Sequence, residues 1–71
     1  MSLAKTIRAG REGAGLLQCD MARKLRVTQS TVSDWENGVQ LPRPKNLKKL
    51  ARVLRLDYAT LREALIAEKF A

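Results

Sequence analysis

The run from Gln18 to Gly38, QCDMARKLRVTQSTVSDWENG, contains two helical periods separated by a short turn. In the first, Gln18 to Leu25, the apolar residues Met21, Ala22 and Leu25 share one face, and Gln18, Arg23 and Lys24 take the other. Arg26-Val27-Thr28 forms the turn, with Val27 directed inward and Thr28 as the N-cap of the second helix. In that second helix, Gln29 to Asn37, Val32 and Trp35 face inward with Thr31 or Glu36 alongside. Asn37-Gly38 closes it, because glycine accepts the left-handed backbone of a C-cap. Ala22 is small enough for the two helices to cross closely.

The rest of the chain surrounds this pair with further helical periods. Ser2 is a candidate N-cap for a helix over residues 2–12, where Leu3 and Ile7 stand four apart. Gly10 and Gly13 each weaken that helix by about 1 kcal/mol relative to alanine, although Gly10 leaves room for a close neighbour. Gly13-Ala14-Gly15 is a turn, Leu16 returns to the core, and Leu17 stands where a cap is expected but carries no acceptor. Beyond a loop containing Pro42, Pro44 suits the first turn of a fourth helix ending at Leu54, with Leu47, Leu50, Ala51 and Leu54 as its apolar stripe. Asp57 caps a fifth helix, about Tyr58 to Lys69, in which Leu61, Leu65, Tyr58 and Ile66 are expected inward. Leu65, Ile66 and Phe70 are divided between core and a patch that a second copy could cover. No alternating strand pattern occurs, so the expected fold is all-α, five helices in a single domain over residues 1–71.

Composition narrows the chemistry. The net charge is +7 and the pI about 10.4, which favours a polyanionic partner, nucleic acid before all others. There is no histidine, and the lone Cys19 makes neither a disulfide nor a zinc site, so no metal or cofactor is expected. Without histidine, a glycine-rich phosphate loop or paired carboxylates on one face, an enzyme is not expected either. No run reaches the roughly 18 apolar residues of a membrane span, and MSLAKTIR has no apolar block of a signal peptide. The expected location is cytoplasmic, nucleoid-associated, in a bacterial or phage-infected cell.

A helix that reads duplex DNA needs a rigid mount, short polar side chains and flanking groups for phosphates. The major groove is about 12 Å wide and admits one helix. Val32 and Trp35 leave Gln29, Ser30, Ser33 and Asp34 on the free side of the second helix of the pair. Gln bridges adenine N6 and N7, Ser serves as donor or acceptor, and Asp accepts from cytosine N4. Gln18 opens the preceding helix, whose free amides and positive dipole end suit a phosphate. Arg43 and Lys45, near the start of the fourth helix, are candidates to hold the backbone. Trp35 is read as core, Lys48, Lys49 and Arg52 as a solvated face, and Cys19 as an ordinary helix residue.

The run GLLQCDMARKLRVTQSTVSDWENGVQLP, followed by NLKKLARVL, resembles the phage-repressor and Cro-like helix-turn-helix family, also called the xenobiotic-response-element family. The resemblance lies in Gly15-Leu16, Gln18, Ala22, Leu25, Val27, Thr28, Val32, Ser33, Trp35-Glu36, Gly38, Pro42 and Leu50-Ala51, within roughly residues 3–61. It implies a five-helix lambda-repressor-like domain that binds a DNA operator as a homodimer and regulates transcription. It implies that Gln18 holds a phosphate, that Thr28 and Thr31 lie near the backbone, and that Gln29, Ser30 and Asp34 face bases. It also implies a salt bridge between Arg11 and Glu36 that ties the first helix to the third. Four positions depart from the family pattern. Arg26 and Arg55 replace usual glycines, Leu17 replaces a small polar cap, and Asp34 stands where a basic residue is frequent. The expected function is sequence-specific binding of a pseudo-palindromic operator by a repressor of phage or bacterial type. The rival is a protein-interaction adaptor or antitoxin-type component on the same fold. The length leaves no room for a ligand-sensing domain, so no small-molecule ligand is expected; the chain is either complete or a DNA-binding fragment of a longer repressor.

Overall fold

The computed structural model describes residues 2–69. Ser2 starts the first helix by accepting from Lys5 N at 3.2 Å, and α1 runs Leu3–Gly13. Leu3 N donates to Glu68 Oε1 at 3.1 Å, so the two ends of the described chain meet. Leu3 and Ile7 bury the inner face of α1. At Gly10 an added Cβ would stand 3.1 Å from Leu54 Cδ1 and 3.2 Å from Leu56 Cδ1. That glycine therefore lets the end of the fourth helix approach α1.

Helix α2 spans Gln18–Leu25 and α3 spans Gln29–Glu36, one residue shorter than expected because Asn37 is the cap and not part of the helix. Leu17 precedes α2 in extended backbone with no side-chain cap. Asp20 compensates in part, since its Oδ2 accepts from Leu17 N at 3.0 Å. Thr28 Oγ1 caps α3 by accepting from Thr31 N at 3.1 Å. Between the helices, Arg26 is left-handed at φ 59° and ψ 45°, and Val27 N returns to Ala22 O at 3.0 Å. The tight turn keeps its glycine-like geometry with an arginine in it.

After Gly38, at φ 73°, the amides of Val39 and Gln40 both bond Asp34 O, at 2.9 and 3.4 Å. Pro42 is buried, and Pro44 opens α4, Pro44–Leu54. Arg55 ends α4 at φ 55°. Each left-handed arginine carries a strain of about 1–2 kcal/mol. Asp57 leads into α5, Tyr58–Lys69, where its carbonyl accepts from Leu61 N and its carboxylate takes the Thr60 hydroxyl at 3.1 Å.

Helices α2 and α3 pack on each other, α1 crosses α3, and α4 pairs with α5. The core is one contiguous cluster: Leu3, Ile7, Met21, Ala22, Leu25, Val32, Trp35, Leu47, Leu50, Ala51, Leu54 and Leu61. Burying one Leu-sized side chain contributes about 1.5–3 kcal/mol, so truncating Leu25 or Leu50 removes a large share of a small domain's stability. Val27, Tyr58 and Leu65 pack against this cluster half-buried. Ile66, expected inward, is instead 43% exposed. The reading of Phe70 lies outside the described residues.

Candidate nucleic-acid interface

Helix α3 is amphipathic in a way that frees one side for a ligand. Its buried residues are Val32, Trp35 and Glu36. At about 100° per residue, Gln29, Ser30, Ser33 and Asp34 occupy an arc of about 140° on the other side. The structure brings these four together with Gln18 from the start of α2, lining an open cleft of roughly 350 Å³. Gln29 and Ser30 are exposed, while Ser33, Asp34 and Gln18 are half-buried. A larger groove of about 620 Å³ lies between the C-terminal ends of α1 and α4, beside Lys24, and shares no lining residue with the cleft.

A buried ion pair is joined to the cleft through Gln18. Arg11 Nε donates to Glu36 Oε2 at 2.7 Å and Nη2 to Oε1 at 3.1 Å, and Nη1 donates to Leu16 O at 2.8 Å. Arg11 is 9% exposed and Glu36 8%. Gln18 Nε2 donates to the same Glu36 Oε1 at 3.1 Å. One carboxylate thus joins α1, α2 and α3 at the edge of the cleft. The hydrogen bond to Glu36 raises the Arg11 pKa above its ordinary value, against the opposing effect of desolvation, with further help from the charges of Glu36 and Glu12. Arg11 is permanently charged, and the pair is bidentate, the stronger geometry for an arginine and a carboxylate.

The other sequence-derived candidates divide by position. Thr28 and Thr31 are adjacent, with their hydroxyl oxygens 2.8 Å apart, so each already has a partner. Arg43 is the residue before α4 and Lys45 lies in its first turn; both are exposed and neither lines the cleft. The first intrahelical amide bond of α2 is Met21 N to Leu17 O, and that of α4 is Leu47 N to Arg43 O. The preceding amides, Gln18 to Asp20 and Lys45 to Asn46, are therefore left to outside acceptors. Two links were not anticipated from the sequence. One is the Gln18–Glu36 bond. The other is Asn37, whose Nδ2 donates to Ser33 Oγ at 3.1 Å. The four-residue spacing of Ser33 and Asn37 is the sequence signal by which it could have been found.

Among the described residues no group of His, Cys, Asp and Glu is placed to hold a metal ion, and no helix is long and apolar enough to cross a membrane.

A helix-turn-helix family model matches residues 7–61 of the chain, from within α1 to Leu61 of α5. The chain belongs to the helix-turn-helix family. Within it the domain is of the lambda-repressor-like, xenobiotic-response-element type, a class of DNA-binding transcription regulators that is generally non-enzymatic. Similar proteins include the endothelial differentiation-related factor 1 homolog of Xenopus laevis and endothelial differentiation-related factor 1 of Homo sapiens. Each is 32% identical over 56 residues, covering 79% of this chain and 38% of the relative. The chain thus spans 38% of the length of these curated relatives. In fold, the helix-turn-helix domain matches the P22 c2 repressor, solved in complex with synthetic operator 9T in the presence of Tl+. The TM-score is 0.81 at 24% identity, with 86% of this chain and 92% of that one covered.

Proposed function

We propose that this helix-turn-helix chain is a single domain that binds a pseudo-palindromic duplex operator as a homodimer, with α3 in the major groove. It acts as a repressor of phage or bacterial type, in the cytoplasm at the nucleoid, without enzymatic activity, cofactor or small-molecule ligand. The supporting observation is the cleft itself. Four short polar side chains of α3 and Gln18 of α2 converge on it, directly across the helix from Val32 and Trp35. Gln29, Ser30, Ser33 and Asp34 take base edges. Gln18, Thr28, Thr31, Arg43 and Lys45 take phosphates, through side chains or through the free amides at the helix starts. Two such helices on a dimer reach successive major grooves about 34 Å apart, and occupancy of the site excludes polymerase.

Selection of bound duplexes from a random pool tests this. Two half-sites one helical turn apart are expected, with affinity that falls steeply with salt, at a log–log slope of about −0.9 per neutralised phosphate. The rival reading is a protein-interaction adaptor or antitoxin-type component on the same fold. Absence of duplex binding at low salt, with a protein partner co-purifying, decides for that reading.

A further inference from the structure

The reading helix, QSTVSDWE, contains no lysine and no arginine. Arg or Lys on guanine O6 and N7 is the commonest way to specify a G·C pair, and α3 does not offer it. The charged residue it offers to the cleft is Asp34. The neighbouring carboxylates are engaged: Asp20 by Leu17 N, and Glu36 by Arg11 and Gln18. The Asp34 carboxylate has no ion pair or hydrogen bond among the described residues, although the residue is half-buried. Its backbone is held firmly, since its carbonyl accepts the amides of Val39 and Gln40. An unpaired acceptor on a firmly held backbone therefore stands in the cleft.

An ionised carboxylate only accepts hydrogen bonds. In the major groove guanine shows two acceptors, thymine shows an acceptor and a methyl, and adenine shows a donor beside an acceptor. Cytosine alone shows a donor and no acceptor. We propose that Asp34 selects cytosine at one step of each half-site, so that the domain specifies a G·C pair from its cytosine side. This rests on the reading of α3 as the major-groove helix. The same carboxylate repels phosphates and acceptor-rich base edges, so it also weakens binding to DNA that lacks the cytosine.

The test is selection from a random duplex pool with the full chain, its Asp34→Asn variant and its Asp34→Ala variant, with circular dichroism showing that all three fold. The wild type is expected to enrich cytosine at one position, and Asp34→Ala to flatten that position alone, losing about 5–150-fold of discrimination there. Asp34→Asn is expected to move the preference toward adenine, whose N6 and N7 match an amide. Both variants should bind random-sequence duplex more tightly than the wild type does. Retention of the cytosine by Asp34→Ala overturns the proposal while leaving the operator reading intact. A wild type that enriches no duplex at low salt overturns both.

Discussion

Replacing Arg11 with methionine removes a charge while keeping an apolar stem, and the structure sets the size of the effect. Three guanidinium hydrogen bonds are lost, two to Glu36 and one to Leu16 O. Glu36 then keeps Gln18 as its donor, with its side chain only 2% exposed. Breaking one partner out of a buried pair costs about 3–5 kcal/mol, mainly through the carboxylate left behind. At about 0.05–0.15 kcal/mol per residue, that is more than a quarter of the total stability expected for this chain. The expected fall in Tm is at least about 12 °C. Urea titration followed by circular dichroism gives the free energy directly. Arg11→Met with Glu36→Leu is expected to recover most of the loss, since apolar replacement of both partners is often neutral. A single variant within about 1 kcal/mol of the wild type, or a double variant no more stable than the single, refutes the reasoning. The pH dependence has a definite sign. A raised arginine pKa gives stability that is fully present below the ordinary arginine value and is lost only as pH rises through the folded value. The Arg11 contribution is therefore constant across the neutral range and fails only in strong alkali.

Gln29→Ala is expected to relax discrimination at a single base step by about 1–3 kcal/mol, read by competition between duplexes differing at that step. Arg43→Ala should weaken all duplexes alike and reduce the salt slope by about 1, measured as affinity against salt concentration; a loss that depends on sequence contradicts a backbone role. Arg55→Gly should raise stability by about 1 kcal/mol by relieving its left-handed strain, visible as a Tm increase of about 4–8 °C.

The helix borders were legible where a residue's local chemistry fixes them. Thr28 caps through its own hydroxyl, Pro44 at a first turn and Gly38 after a C-terminus act through their own backbones, and α2, α4 and α5 have the bounds their sequence predicts. The turn at Arg26 was legible only through its apolar neighbours, since Val27 and Leu25 place it although its own residue type argues against a left-handed backbone. Partnership across the chain was harder. The Gln18–Glu36 bond spans eighteen residues and depends on how α2 crosses α3, which no periodicity encodes. The pairing of Thr28 and Thr31 hydroxyls follows from the cap itself but competes with the phosphate role their positions suggested. Ile66 departs from its expected inward place because the apolar pattern of α5 continues past the point where the core ends.

The bond from Gln18 to Glu36 also divides the interface by its freedom of motion. An exposed, rotamer-rich side chain that becomes immobilised on association gives up about 0.5–1.5 kcal/mol of entropy. Gln29 is exposed in the free domain, and in the proposed DNA complex it meets that cost on binding. Gln18 is already anchored in the folded domain, with its second amide hydrogen and its carbonyl oxygen still available. In the proposed complex the phosphate contact from Gln18 forms without ordering at the moment of encounter, which favours docking on any duplex. The entropic cost then falls on the side chains proposed to tell one sequence from another.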